Sequence, residues 1–155
     1  MNIRIIEKND NQQIGDLVQN VLMEMGAPKI GTAYADPYLF NLSEVYSEPK
    51  TVYFVIENNG KIIGGAGIGI LENDICELQK MYFLPECRGL GLGSQLMEMC
   101  LEKAKSFGYE KCYLETMPYM ISAQKLYKKF GFENIDAPIG NTGHTSCPVW
   151  MIKNL

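Results

Sequence analysis

The stretch Cys87-Arg88-Gly89-Leu90-Gly91-Leu92-Gly93-Ser94, CRGLGLGS in one-letter code, is the most informative segment of this chain. It places three glycines at alternate positions between a strand-like run and an amphipathic run of helical period. A glycine-rich turn from a strand into a helix can bind phosphate, because backbone N–H groups converge there and the helix N-terminus adds partial positive charge. The stretch therefore predicts a backbone site for a phosphate-containing ligand.

Two common phosphate-binding motifs do not fit this stretch. The dinucleotide fingerprint G-x-G-x-x-G, counted from Gly89, needs a glycine at Ser94 and a parallel βαβ unit. The Walker pattern needs Gly-Lys-Ser/Thr, which is absent. A purely structural role, in which the glycines make a tight turn and let the next helix pack closely, stays open. For a second glycine-rich run, GGAGIG at 64–69, we expect a bulge or close packing, because no helix follows it.

The composition argues against several classes of protein. The chain has 155 residues, 46% hydrophobic and 21% charged, so we expect one domain over residues 1–155. A net charge of −4 argues against nucleic-acid binding, which needs a surplus of Lys and Arg. Five cysteines without a Cys-x-x-Cys pair, and a single histidine, indicate neither a disulfide framework nor a metal site. Since no leader-like segment and no apolar run of ~18 residues is found, we expect a cytoplasmic protein without membrane contact.

The hydrophobic periodicity predicts an α/β (α+β) fold. Strand and helix patterns follow one another without an internal repeat, and Asn58-Asn59-Gly60 is a strong hairpin signal. This order predicts a mixed, mostly antiparallel central sheet with helices on both faces. The predicted strands are 2–7, 51–57, 61–71, 75–84, 111–116, 132–135 and 148–152, and the predicted helices are one from Asp10 or Asn11 to about Gly26, then 38–46, 94–107 and 119–130.

Two segments of the chain resemble motifs of a known family. Residues 88–93 (RGLGLG) fit the Arg/Gln-x-x-Gly-x-Gly/Ala motif of the GNAT superfamily of N-acetyltransferases. The run ELQKMYFLPE at 77–86 resembles the fourth strand of that family, and ETMPYMISAQKLYKKFGFEN at 115–134 resembles its fifth strand and the following helix. The resemblance covers residues 75–135 well and implies the GNAT acyl-CoA N-acyltransferase fold.

The resemblance also implies a function and a cosubstrate. It implies an N-acetyltransferase in which a primary amine attacks acetyl-CoA directly in a ternary complex, with no metal. The residues that it implies for acetyl-CoA are Met81, Tyr82 and Phe83 along the pantetheine, and Arg88, Gly89, Leu90, Gly91, Leu92, Gly93 and Ser94 around the pyrophosphate. Many members have an asparagine seven residues before a helix tyrosine, where this chain has Met120, so one pantetheine contact stays open.

Acetyl transfer to an amine needs a base, an oxyanion donor and an acid for the departing thiolate. An alkyl amine with a pKa of ~10.4 is almost fully protonated at neutral pH, so a base is useful. Glu77 and Glu115 lie in strands at places where family members carry that base. Strand alternation predicts Glu77 on one face with Gln79, Met81 and Phe83. An ordinary structural carboxylate stays open for both. Tyr127 lies in a helical stripe typical of core aromatics, but the resemblance makes its hydroxyl the general acid.

The acceptor is not identified by the sequence. In such a fold the segments 26–49 and 136–146 would choose it, and the tyrosines at 34, 38 and 46 either line an amine pocket or simply pack. The acidic balance favours a cationic acceptor, a small molecule or a peptide. We expect His144 at the surface rather than in catalysis. A homodimer stays open.

Two other functions stay open at this point. A non-catalytic acyl-CoA binding or sensing module would keep the glycine turn without a working acid and base, and the presence of Tyr127 and two glutamates argues against it. A nicotinamide-dependent oxidoreductase is disfavoured because the dinucleotide fingerprint is incomplete.

Overall fold

The computed structural model describes residues 1–155 and contains one seven-stranded sheet, which confirms the mixed, mostly antiparallel fold. The order is β1-β2-β3-β4-β5-β7-β6, and only β4 and β5 pair in parallel. The strands are β1 (Asn2–Ile5), β2 (Val52–Asn58), β3 (Lys61–Glu72), β4 (Ile75–Phe83), β5 (Lys111–Thr116), β6 (Glu133–Ile135) and β7 (Val149–Asn154). The helices are α1 (Asn11–Glu24), α2 (Leu42–Val45), α3 (Leu92–Ser106) and α4 (Ile121–Lys129). None of these helices combines the length and the apolar character that a bilayer crossing requires.

The segment 38–46 departs from the prediction of a single helix. A 3-10 turn over Leu39–Asn41 precedes the short α2, and Phe40 within this turn has non-helical backbone angles. The Phe40 ring lies against Gly15 of α1, where an added Cβ would come within 2.4 Å of ring atom Cδ1. This tertiary contact holds the segment in a kinked form that local periodicity did not predict.

The hydrophobic core has two parts, one on each face of the sheet. Alternation along β2 sends Phe54 and Ile56 to the face covered by α3 and α4, and Tyr53 and Val55 to the face covered by α1. All four side chains are buried. The two layers of helices thus hold the middle of the sheet between them, where β4 and β5 lie.

The pairing of β4 with β5 is short. Ile75–Glu77 pairs with Lys111–Tyr113. Beyond these residues β4 continues to Phe83 and β5 to Thr116, but the two strands no longer pair with each other. Paired strands lie about 4.8 Å apart, so the end of pairing marks the point where the two strands separate. A gap opens between them toward their C-terminal ends.

A bulge in β4 changes which side chains share a face. Gly65 pairs with Tyr82 but Gly67 pairs with Gln79, so β4 carries one extra residue here, and Lys80 has a φ of +50°. Met81 and Phe83 consequently pack in the core with α3. The prediction that Glu77 shares a face with these two residues is therefore wrong, because strand alternation does not continue through a bulge.

The glycine-rich run 64–69 in β3 has the structural role that we predicted. The register shift lies between Gly65 and Gly67, opposite the bulge. At Gly67 an added Cβ would come within 2.5 Å of the Tyr53 ring. The Tyr53 hydroxyl in turn donates a hydrogen bond of 2.7 Å to the Lys80 carbonyl. The missing side chains of β3 therefore admit a buried tyrosine that stabilises the bulge.

Candidate active site

A cleft of about 390 Å³ opens where β4 and β5 separate. Its walls come from the ends of both strands, the glycine turn before α3, and α4. The sequence-predicted residues that line it are Met81, Tyr82, Phe83, Arg88, Gly89, Gly91, Leu92, Gly93, Glu115 and Tyr127. Glu77, Leu90 and Ser94 do not line it. The structure thus brings most of the predicted site residues around one cavity.

The glycine turn presents free backbone donors. Gly89 and Gly91 have φ values of +78° and +75°, a conformation that favours glycine. The six amides of residues 89–94 donate no hydrogen bond within the protein, and the first helical bond of α3 runs from Gln95 to the Gly91 carbonyl. Free N–H groups at a helix N-terminus are a site for a phosphate group.

Gly93 shows that the turn leaves room for a ligand. Its φ is not in the left-handed region, and an added Cβ would meet Leu126 at 3.4 Å and the Phe83 ring at 3.8 Å, both ordinary contacts. The protein's own packing therefore does not require glycine here, although the residue lines the cleft. A bare backbone at this place suits the close approach of a ligand, which fits the pyrophosphate of acetyl-CoA.

The side chain of Arg88 connects the turn to its neighbours. One guanidinium nitrogen lies 2.5 Å from a Glu24 carboxylate oxygen of α1, and the other donates a 2.8 Å hydrogen bond to the Phe83 carbonyl. The ion pair is partly exposed and adds little to stability. Its geometry keeps the end of β4 beside the turn.

Tyr127 lies in α4 with its hydroxyl free. The residue is buried, which raises its pKa to about 12. The hydroxyl has no hydrogen-bond partner in the protein. Every fully buried side-chain oxygen and nitrogen does have one, so the Tyr127 oxygen is not fully buried and is open to the cleft that the residue lines. At neutral pH the group is a protonated donor with nothing to donate to except a ligand or water.

Glu77 lies at the last paired position of β4, opposite Tyr113 of β5. It is only 6% exposed, and its Oε1 accepts a 2.7 Å hydrogen bond from the Gln79 amide nitrogen. Oε2 has no partner and keeps solvent contact. Burial, together with the nearby Glu115 charge, raises the pKa of Glu77 to about 7. The carboxyl therefore titrates closer to neutral pH than an ordinary glutamate does.

Glu115 lies on β5 with both carboxylate oxygens occupied. Oε2 accepts a 2.6 Å hydrogen bond from the Tyr113 hydroxyl, and Oε1 accepts one from the Thr142 hydroxyl. Thr142 belongs to the loop between β6 and β7, so Glu115 holds that loop against the cleft. These contacts orient Glu115 but leave it less free than Glu77 to receive a proton.

A half-buried cluster of three polar side chains was missed in the sequence. Asp36 Oδ2 lies 2.7 Å from Lys80 Nζ, and Asp36 Oδ1 lies 2.9 Å from His144 Nε2. Burial alone would raise the pKa of Asp36, but the contacts with His144 and Lys80 outweigh it and lower this pKa. The expectation that His144 is simply surface-exposed is wrong, because its side chain is 19% exposed and bound to Asp36. The three residues are far apart in sequence, so no local pattern could reveal the cluster.

Cys147 and Tyr46 are further residues near the site whose positions the sequence did not predict. Cys147 lines the cleft, and burial raises the pKa of its thiol to about 12, with the carboxylates of Glu115, Glu77 and Asp36 adding to this.

Tyr46 is buried behind the cleft, whereas Tyr38 is 65% exposed. The tyrosines of this segment therefore do not form one amine pocket.

The motifs and the fold both match a known family. The sequence profile of the acetyltransferase (GNAT) family matches residues 21–132, which is more than half of the chain. The chain belongs to the GNAT acetyltransferase family. This confirms the resemblance seen in the glycine turn and in α4, and makes the protein an acyltransferase.

Individual GNAT relatives agree with this assignment. The uncharacterized N-acetyltransferase YjgM of Escherichia coli (strain K12) is 45% identical over 158 residues, which cover 99% of this chain and 94% of the relative. Among solved structures, a GNAT acetyltransferase of Staphylococcus aureus Mu50 has a TM-score of 0.88 at 23% identity and covers 99% of this chain and 98% of its own. YncA of Salmonella typhimurium, solved with its cofactor acetyl-CoA, has a TM-score of 0.79 at 19% identity, with coverage of 100% and 94%. At these identities the two structures show the GNAT fold alone.

We expect Gly91→Ala to weaken acetyl-CoA binding about tenfold, as measured by isothermal titration calorimetry. A Cβ at a φ of +75° costs about 1–2 kcal/mol, and relief of this strain would turn the amides away from the ligand. Gly108→Ala is the matched control, because Gly108 has a φ of +89°, an added Cβ there has no neighbour within 4 Å, and it follows the other end of α3. Equal affinity losses in both variants would contradict a ligand role for the turn.

Proposed function

We propose that the protein transfers the acetyl group of acetyl-CoA to a primary amine by direct attack in a ternary complex. The observation that carries this proposal is that one cleft joins a turn with six free amides to a tyrosine hydroxyl without a partner. A thioester donor that carries phosphates needs both features. Acetyl-CoA supplies the acetyl group and its thiolate leaving group.

Two backbone segments would hold the donor. The amides of residues 89–94 would bind the pyrophosphate. The backbone of Met81, Tyr82 and Phe83 lies where β4 has lost its pairing with β5, so its polar groups toward the gap can pair with the amides of the pantetheine as a strand would. The reactive end of the donor would then lie deep between the two strands.

Glu77 is the better candidate for the base. Its pKa of about 7 lets it accept a proton at neutral pH, and its free Oε2 can do so directly or through one water molecule. Glu115 has both oxygens engaged by hydroxyl groups. We therefore assign proton removal from the amine to Glu77, and to Glu115 the positioning of the loop between β6 and β7.

Tyr127 is the candidate acid. Its free hydroxyl can donate a hydrogen bond or a proton to the sulfur as the carbon–sulfur bond breaks. Met120, at the place where many relatives have an asparagine, lines the same cleft and offers an apolar contact instead. The mechanism needs no residue beyond those around this cleft and Glu77.

The charges around the cleft favour a cationic acceptor. The carboxylates of Glu77, Glu115 and Asp36 all act on the Cys147 thiol in the cleft wall. Lys80, the cation on this side, and the His144 ring are both engaged by Asp36. A protonated amine is attracted by this arrangement, whereas an acceptor with several carboxylates finds no free cation.

A screen of amines with acetyl-CoA tests the proposal. We expect release of CoA thiol with cationic acceptors, such as aliphatic diamines, polyamines and lysine-containing peptides, and at least tenfold less with amines that carry two carboxylates, such as glutamate. Binding of acetyl-CoA without turnover on any acceptor would instead support a sensing module. Tight NAD binding without CoA binding would overturn the proposal.

We expect Tyr127→Phe to lower kcat by about tenfold to a hundredfold, at the low end for acid catalysis because a thiolate is a good leaving group. The affinity for acetyl-CoA should change by less than about twofold, since the ring remains in place. Steady-state kinetics and calorimetry measure the two quantities. Tyr109→Phe, which removes a buried hydroxyl that contacts only the Lys50 carbonyl, is the matched control. Unchanged turnover would remove Tyr127 from the mechanism.

We expect kcat/KM to fall as the pH drops below about 7, because a protonated Glu77 cannot accept a proton. The neutral fraction of an alkyl amine with a pKa of ~10.4 changes without an inflection near pH 7, so an inflection there reports a group on the enzyme. Glu77→Gln should lower kcat about a hundredfold and abolish the limb, whereas Glu115→Gln should keep it. A limb that persists in Glu77→Gln and vanishes in Glu115→Gln would show that Glu115 is the base and that Glu77 is not.

A further inference from the structure

We propose that Gln79 is a positioning residue that holds the Glu77 carboxylate in one orientation, and that Tyr46 and Gly69 fix Gln79 for this task. The inference deepens the proposed function and rests on Glu77 as its base. Gln79 does not line the cleft, so it would act only through Glu77. The role is that of a support behind the reacting group.

A directional chain of hydrogen bonds links the three polar side chains. The Tyr46 hydroxyl donates to Gln79 Oε1 over 2.6 Å, and Gln79 Nε2 donates to Glu77 Oε1 over 2.7 Å. Burial raises the pKa of Tyr46 well above its ordinary value, so its hydroxyl stays a donor. Because the hydroxyl engages the amide oxygen, the amide NH₂ must face the carboxylate. The reverse amide orientation would set two acceptors against each other whenever Glu77 is ionised.

Gly69 provides the space that this arrangement needs. It pairs with Glu77 across β3 and β4, and an added Cβ would lie 2.4 Å from Gln79 Oε1 and 2.8 Å from Nε2. The φ of Gly69 is not in the left-handed region, so the backbone does not demand glycine. The missing side chain leaves room for the amide group of Gln79 in its bonded position.

Gln79 is the only hydrogen-bond donor to Glu77 in the protein. A carboxylate that is 6% exposed and held at one oxygen only would rotate if that contact were lost, and its free Oε2 would no longer point to a defined place. The other titratable or charged groups around Glu77 make no hydrogen bond with its carboxylate. They are Lys80 on β4, Tyr113 and Glu115 on β5, Tyr46 after α2, Asp36, Tyr82, and His144 and Cys147 in the loop between β6 and β7.

The first test measures the titration of Glu77 directly, without an acceptor. The protein is labelled with ¹³C at the glutamate side-chain carboxyl, and the Glu77 signal is the one missing in Glu77→Gln. Gln79→Met keeps the length of the side chain but removes the donor to the carboxylate, so we expect the midpoint of the Glu77 titration to rise by about one pH unit. An unchanged midpoint in a folded Gln79→Met protein would overturn the proposal.

Two further variants keep the test independent of any packing defect in Gln79→Met. Gly69→Ala leaves Gln79 chemically intact and displaces only the flexible end of its side chain, and Tyr46→Phe removes the hydroxyl that orients the amide. Both should raise the midpoint in the same direction by a smaller amount. Gln12→Met on the exposed face of α1 and Tyr109→Phe are the matched controls, and neither should move it. A rise in the controls as large as in the three variants would also overturn the proposal.

Kinetics with the best acceptor of the amine screen separates this proposal from the proposed function. We expect Gln79→Met to move the acidic limb of kcat/KM upward with the Glu77 midpoint and to lower kcat about tenfold at pH 7, with the KM for acetyl-CoA unchanged. In the Glu77→Gln background the same substitution should have no further effect, which a general loss of structure would not produce. A moved midpoint with unchanged kinetics would uphold the role of Gln79 as a support and refute Glu77 as the base.

Discussion

The parallel pairing of β4 with β5 ends at Glu77 and Tyr113, and the rest of the site depends on this. Beyond that point two strands in the middle of one sheet lose each other's hydrogen bonds, and their free backbone groups face a cleft instead of a neighbour. The same divergence places the last paired residue, Glu77, at the inner end of the gap. A ligand that supplies amide groups along β4 would complete the sheet locally, which is the physical reason for expecting pantetheine there.

The bulge at Lys80 puts the polar and the apolar site residues of β4 on opposite faces of the sheet. Before it, Glu77 and Gln79 point to the side of Tyr46, and after it Met81 and Phe83 pack with α3. Without the extra residue, alternation would put the candidate base and these two apolar side chains on the same face. The bulge is stabilised because the Tyr53 hydroxyl donates a hydrogen bond to the Lys80 carbonyl and because glycines in β3 leave room for the tyrosine ring.

The loops around the cleft are held by polar contacts rather than by apolar packing alone. Asp36 joins the segment after α1 to the bulge through Lys80 and to the last loop through His144, and Thr142 joins that loop to Glu115. Buried or half-buried polar groups of this kind are costly when unpaired, so each contact also specifies where its loop lies. The side of the cleft around Asp36 and Glu115 is therefore a defined surface, although it is built from the least regular segments of the chain.

The sequence alone predicted the meander of antiparallel strands, the glycine turn into α3 and the family, because these depend on local periodicity, on backbone freedom at glycine and on motifs that are contiguous along the chain. It did not determine the face on which Glu77 lies, since one bulged residue reverses the alternation and its cause, the Tyr53 hydroxyl, comes from another strand. Nor could it reveal the Asp36–Lys80–His144 cluster or the support of Glu77 by Gln79 and Tyr46. Asp36, Lys80 and His144 are distant from one another in sequence, as Tyr46 is from Gln79, and only the packing of the loops and helices against the sheet brings them together.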